Sequence, residues 1–271
     1  MQNDGAGLPG YGAGYGAGHL AGYRAPAVQK AFMLLRTIAE SREELGVTEL
    51  ARSLGLSKST AHGLTQALLW EGALVQSPRK KFYLGPTMME LAFRNWNYLK
   101  LSEKAQSALD ALRDRIGETV FLGVLSHSMA IIIARAEGTK PLKLSATRGT
   151  TVPLLAGAVG KVFLAQFDDE YARRMIKRHG LPRFTSRAAV SEEEYLAELA
   201  RVREQKYALD NEEYLPGVKA VAVSLGNHRG LPLAIWVVGF AGSMGEEAMP
   251  RIIKETMETT VMLRKALDGN I

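Results

Sequence analysis

A glycine set between two helical patterns constrains this chain more than any other feature. Residues 46–72 read "GVTELARSLGLSKSTAHGLTQALLWEG". The first half spaces Leu50, Ala51 and Leu54 for one helical face, with Thr48 as the candidate N-cap. The second half is another helix, capped by Ser57 and ended at Gly72. Gly55 supplies the left-handed backbone that a tight turn between them needs. Upstream, "VQKAFMLLRTIAES" puts Val28, Ala31, Leu35 and Ile38 on one face, widened by Phe32 and Leu34. Downstream, "ALVQSPRKKFYLG" reads as strand, turn, strand. Three helices, a short turn between the last two and a closing hairpin predict a winged helix-turn-helix over residues 25–85.

The helix after Gly55 has two unlike sides. At 100° per residue, Lys58, Ser59, His62 and Gln66 share one arc, while Ala61, Leu64 and Leu68 lie opposite. Lys, Gln and His can donate to base edges, and Ser can donate or accept. Ser57, Thr60 and the free N–H groups of the first turn suit phosphate oxygens. The hairpin adds three consecutive cations, Arg79, Lys80 and Lys81, placed for phosphates or a minor groove. A polar stripe alone is also the ordinary solvated side of an amphipathic helix. The turn glycine, the basic hairpin and the local charge favour DNA. Residues 1–100 hold 11 Lys+Arg against 7 Asp+Glu, whereas residues 101–271 hold 23 against 21, so most of the excess sits in the smaller part.

The rest of the chain is organised differently. Residues 1–24, with "GYGAGYGAGHLAGY", have too little side chain to bury and read as a disordered tail. Residues 86–101 read as a linker helix in which Met88, Leu91, Ala92 and Trp96 form an apolar stripe with no evident intrachain mate. Residues 102–271 form a second domain opened by a helix. β-rich runs "TVFLGVL", "AIIIARAEG" and "LKLSA" come first. Helices follow near 157–166, 169–180 and 191–205, then strands "VKAVAVSLG" and "LPLAIWVVG", then a helix over 247–267. Hairpin-like pairs mixed with helices predict an α+β class around an antiparallel sheet. The absence of cysteine excludes disulfides and thiolate metal sites. No apolar run nears the roughly 18 residues that span a bilayer, and the start lacks a signal-peptide layout, so a cytoplasmic protein without membrane contact is expected.

Enzyme motifs fail one by one. "GAVGK" (157–161) would put Leu155 and Val162 where a phosphate-binding loop needs Gly and Ser or Thr. Ser126–His127–Ser128 lacks a Gly-x-Ser-x-Gly frame and reads as a surface turn. "DNEE" (210–213) and "EEE" (192–194) come without paired histidines and read as solvated or helix-capping charges. No catalytic residue, metal or cofactor is expected.

The ordered chain, about residues 25–267, resembles the IclR family of bacterial transcription regulators. The likeness lies in "VQKAFMLLRTIAE", "GVTELARSLGLSKSTAHGLTQALLWEGALV" and "KFYLGPTMMELA", and again in "RGTTVPLLAGAVGKVFLAQ" and "KYALDNEEYLPGVKAVAV". The resemblance implies a winged-helix DNA-binding domain, a linker helix and a GAF-like effector-binding domain. It implies dimers that often pair into tetramers, and two winged helices would then enter successive major grooves of a roughly palindromic operator. Positions matching the family's effector site are Leu144, Val152, Ala158, Val159, Asp210, Val218, Ala220, Trp236 and Val238. The N–H groups of Ala158 and Val159 would receive a ligand carboxylate. Two departures stand out. Gly63 replaces an arginine common in the family. Ala220 and Trp236 stand where small polar residues occur in members that hold small keto acids. The implied effector is an organic acid with an apolar or aromatic body. An enzyme on the second domain, or an effector-free DNA-binding protein, are the competing readings.

Overall fold

The computed structural model describes residues 25–95, 97–189, 191–228 and 230–268. The tail expected over 1–24 and the stripe residue Trp96 lie outside them. The chain divides into two compact units, His19–Asn97 and one that includes Tyr98–Ile271.

In the first unit, α1 (Pro26–Glu40) starts on a proline, whose missing N–H costs nothing in the first turn. It buries Leu34, Leu35 and Ile38. Val28 and Phe32, expected on that face, are more than half exposed instead. Their spacing fits the helix, but the core meets only its C-terminal half. α2 (Val47–Ser53) buries Leu50 and Ala51. Its N-cap is Gly46 rather than Thr48, because the Glu49 side chain reaches back to the Gly46 N–H (3.1 Å) and closes the first turn without a hydroxyl. Gly55 has φ +62°, and the Leu56 N–H returns to the Ala51 carbonyl at 2.9 Å. α3 (Lys58–Trp70) follows, with Ser57 as its cap: the hydroxyl accepts from the Thr60 N–H at 3.1 Å. The wing is β1 (Leu74–Gln76) and β2 (Phe82–Leu84), and Phe82 is fully buried against the helices. α4 (Pro86–Asn95) returns Met88 to this core, so one stripe residue does have an intrachain mate, whereas Leu91 is 63% exposed.

The second unit is an α+β domain, as expected. α5 (Asn97–Ile116) precedes β3 (Thr119–Ser126), β4 (Met129–Ala136) and β5 (Thr151–Pro153). Then come α6 (Gly157–Leu164), α7 (Asp169–His179), α8 (Glu192–Gln205), β6 (Tyr207–Asn211), β7 (Val218–His228), β8 (Leu231–Phe240) and α9 (Met249–Asp268). Six antiparallel strands run in the order β5-β4-β3-β8-β7-β6. Alternation along each strand makes two cores. Phe121, Ala220, Ala222, Ala234 and Trp236 face α6, α7 and α8, whereas Val120, Leu122, Val221, Ile235 and Val237 face α5 and α9.

Two strand assignments change. "LKLSA" alternates like a strand but adopts none. The sheet edge beside β4 is taken by β5 through Ile131↔Thr151 and Ala130↔Val152. The displaced segment is held by single contacts, including Thr119 Oγ1 to the Leu144 carbonyl (2.6 Å) and Arg135 to the Ala146 carbonyl (2.8 Å). β6, not expected from the sequence, pairs Asp210 with Ala220 on β7.

Candidate DNA-reading face and ligand-binding core

α3 takes its orientation from its apolar side. Ala61 and Thr65 are buried, and Leu64, Leu68 and Leu69 pack on the core of Leu34, Leu50 and Phe82. Lys58, Ser59, His62 and Gln66 are consequently exposed together, as the helical spacing predicts. At the N-terminus the Ser57 hydroxyl lies 3.0 Å from Ser59 Oγ and 2.8 Å from Thr60 Oγ1, so three hydroxyls cluster at the positive end of the helix. Gly63 is exposed, and a Cβ built there meets nothing within 4 Å. A longer side chain fits this position.

The three wing cations are not equivalent. Arg79 and Lys80 are exposed at the tip, where Lys80 takes φ +58° and its N–H returns to the Ser77 carbonyl at 2.9 Å. Lys81 instead points inward and pairs with Glu49 on α2 at 3.0 Å. The hydrogen bond from Lys81 holds the Glu49 carboxyl below its ordinary range. Lys81 therefore fixes the wing to α2, a role that three basic letters in a row do not reveal.

In the second unit, Val152, Ala158, Val159, Ala220, Trp236 and Val238 come together between the sheet and α6. Leu144 and Val218 are half-buried and lie outside that cluster. Trp236 is 3% exposed and tilts against Phe121 with ring centroids 5.6 Å apart. Its ring covers Gly123, where an added Cβ would fall 2.5 Å from the indole Cη2 and 2.6 Å from the Ile131 carbonyl oxygen. Glycine is thus the clearance that lets a large ring lie flat on this face. Phe121 and Gly123 belong to the cluster and were not expected there. Their signal would have been the strand register, which places Phe121 opposite Trp236.

Asp210 is 5% exposed, so the "DNEE" carboxylates are not simply solvated. Asp210 Oδ1 accepts from the N–H groups of Glu213 (2.7 Å) and Tyr214 (3.4 Å), and its Oδ2 lies against Gly157 at the start of α6. That helix has no side-chain cap. Burial pushes the Asp210 carboxyl above its usual range, against the lowering effect of those N–H groups and of Lys161. Lys161, the lysine of "GAVGK", is 4% exposed and reaches Glu198 (2.6 Å), Glu213 (2.5 Å) and the Leu209 carbonyl (3.1 Å). Burial likewise raises Glu213. The other acidic run, Glu192, Glu193 and Glu194, occupies the first turn of α8, where negative charge suits the helix dipole. Ser126 and His127 close the β3–β4 hairpin, with His127 at φ +57°. Among the described residues no group of three or more His, Asp or Glu side chains is arranged to hold a metal ion, and no helix is long and apolar enough to cross a membrane.

The comparisons with known proteins agree with this arrangement. The model described as "Bacterial transcriptional regulator IclR C-terminal" matches residues 95–262, and "IclR helix-turn-helix domain" matches residues 27–78. The chain belongs to the IclR family of bacterial transcriptional regulators. Within that family it is similar to the HTH-type transcriptional regulator XynR of Escherichia coli (strain K12), at 32% identity over 77% of this chain and 83% of the relative. The regulator KdgR of the same organism is 30% identical over 79% and 81%. Among solved structures, an IclR transcriptional regulator from Alicyclobacillus acidocaldarius superposes with a TM-score of 0.74 at 27% identity, covering 89% of this chain and 98% of that one. An IclR homolog from Microbacterium hydrocarbonoxydans, complexed with 4-hydroxybenzoate, shares the fold at a TM-score of 0.73 and 20% identity, over 90% and 100% of the two chains. Family membership makes the first unit a DNA-binding helix-turn-helix domain and the second an IclR C-terminal domain, and the relatives are regulators of transcription rather than enzymes.

Proposed function

We propose that the protein is a ligand-responsive, sequence-specific regulator. α3 reads double-stranded DNA through Lys58, Ser59, His62 and Gln66, while Ser57, Thr60, Arg79 and Lys80 hold phosphates. Lys81 acts through the wing it anchors. The observation that carries this reading is the exposed polar half of α3, held outward by its buried Ala61 and Thr65. Two copies place two such helices in successive major grooves of a roughly palindromic operator, and residues 86–101 carry the linker between the two domains.

The second unit, in this reading, senses an organic acid with an apolar or aromatic body. The ligand's carboxylate meets the Ala158 and Val159 N–H groups at the uncapped start of α6, and its body lies against Trp236. Asp210, whose carboxyl burial raises, borders the same helix start. The fold shared with a homolog that holds 4-hydroxybenzoate supports an aromatic acid as the first ligand to try. Binding shifts the balance between DNA-competent and incompetent arrangements by the difference in affinity for the two.

A gel shift on the intergenic DNA upstream of the gene, at several salt concentrations, tests the DNA reading. Lys58→Ala should weaken binding and relax the preference for that DNA over random sequence. Gly63→Arg should tighten it, by adding a cation and removing a glycine that costs about 1 kcal/mol of helix propensity. Unchanged affinity in both variants would sink the assignment of this face. Calorimetry tests the effector: 4-hydroxybenzoate should bind and pyruvate should not, and the reverse result refutes the apolar-body reading.

A further inference from the structure

A ligand bound at the start of α6 needs a way in. A cleft leads there: Leu155 and Gly157 line one wall, and Leu181, Phe184 and Ala189 line another. Tyr195 also lines it, and its buried hydroxyl has no hydrogen-bond partner among the described residues. The cleft has room for about one water molecule. No aromatic acid passes through a space of that size, so a wall has to move.

What holds each wall decides which one. α6 is locked in place, since a Cβ added at Gly160 would fall 1.8 Å from the Leu154 carbonyl oxygen and Ala158 through Leu164 are all buried. The segment 181–189, between α7 and α8, belongs to no helix or strand. Its backbone bonds stay local, from the Phe184 N–H to the Pro182 carbonyl (3.2 Å) and from the Ala188 N–H to the Thr185 carbonyl (3.4 Å). Side chains fasten it to the domain. The Thr185 hydroxyl donates to the Glu212 carbonyl (2.7 Å) and lies 3.1 Å from that of Glu213. Phe184 meets Tyr214 edge-on with ring centroids 4.8 Å apart, and Arg187 stands 3.4 Å from Glu212. All three contacts end on one short stretch, residues 212–214. Asp210 ties that stretch to α6, because it accepts from the Glu213 and Tyr214 N–H groups and lies against Gly157. Gly180, just before the segment, has φ +71° and nothing within 4 Å of an added Cβ, as a hinge requires.

We propose that residues 181–189 are a door over the start of α6, swinging about Gly180 and latched on residues 212–214 by Thr185 and Phe184. That its cargo is an organic acid rests on the reading of the second unit given above. The door closes over the free and the occupied site alike, so a weaker latch speeds entry and exit together.

Stopped-flow binding of 4-hydroxybenzoate to the full chain, and trypsin cleavage at the exposed Arg183 and Arg187, test it. Thr185→Val keeps the shape and removes the donor. It should speed association and dissociation about fivefold each, with Kd changed by less than about twofold. Cleavage at Arg183 and Arg187 should accelerate by about the same factor, and saturating 4-hydroxybenzoate should slow it. Phe184→Ala, at a ring already 39% exposed, should act the same way by about threefold. A merely structural role would weaken binding without speeding association. Cleavage rates that neither variant changes would overturn the door. If no acid binds while both variants speed cleavage, the organic-acid reading falls and the door over α6 stands. If the acid binds at rates that neither variant changes, the door falls and that reading stands.

Discussion

On one face of the six-stranded sheet, Val120, Leu122, Val124, Leu233, Ile235 and Val237 meet α5 and α9. On the other, Ala130, Ala208, Ala220, Ala222 and Ala234 meet α6, and two large rings, Trp236 and Phe121, fill part of the space they leave. The first face is branched and aliphatic, which suits strands that only need to pack. The second is lined with small residues and bordered by Asp210, Lys161 and Glu213, all largely buried. One sheet thus carries an aliphatic core on one side and, on the other, a core of smaller residues bordered by buried charges. Small side chains let α6 approach the sheet closely. Charges buried beside them stabilise little by themselves but become sensitive to what binds.

Replacing single residues should break this contrast in a definite order. Lys161→Met leaves Glu198 and Glu213 buried without their cation, and should cost about 3–5 kcal/mol in denaturant unfolding at neutral pH. That loss should shrink in acid, where both carboxyls protonate. A loss that stays constant with pH would show the charges to be solvated and the contrast overstated. On the aliphatic face, Leu122→Ala should cost ~3 kcal/mol by leaving a cavity, with no change in ligand titrations. Altered ligand binding in that variant would mean the two faces are not independent.

Gly123→Ala drives a methyl into the Trp236 ring and the Ile131 carbonyl, and should cost about 1–3 kcal/mol. Adding Trp236→Leu should recover part of it, as measured by a double-mutant cycle; strict additivity would separate the two residues. The smallest effect concerns protons. Asp210 and Glu213 have carboxyls raised in the folded state, so the native chain holds more protons than the unfolded one between the two sets of pKa values. Their contribution is fully present below the unfolded pKa near 4 and is lost as pH rises through the folded values. Asp210→Asn should flatten that slope by ~1 kcal/mol or less. A slope unaltered in Asp210→Asn would assign it elsewhere.

How much of this was legible depended on distance along the chain. The helix-turn-helix could be read because its signals are local: the Ser57 cap, the Gly55 turn and the leucines of α3 all act within a few residues. Thr48 looked like a cap and was not, because the Glu49 side chain had already closed the turn on Gly46. "LKLSA" had the alternation of a strand, but β5 occupied the edge beside β4. A three-residue strand ending in proline leaves almost no periodic signal. Resemblance placed Asp210 and Trp236 at a site, and the structure sets them around α6. It could not show Gly123 or Phe121, whose roles come from the neighbour across the sheet. Lys161 was visible only as a failed phosphate loop. Its partners lie on α8 and after β6, and only folding brings them near.

The burial of Trp236 has an optical consequence. Its indole is enclosed by the sheet and Phe121, whereas Trp70, at the end of α3, is 89% exposed. A dissolved quencher such as iodide should reach the ring at 70 and leave the ring at 236 shielded. Light emitted from 236 should lie to the blue of that from 70. Two of the three tryptophans thus report on different places, Trp236 on the core beneath α6 and Trp70 on the end of α3.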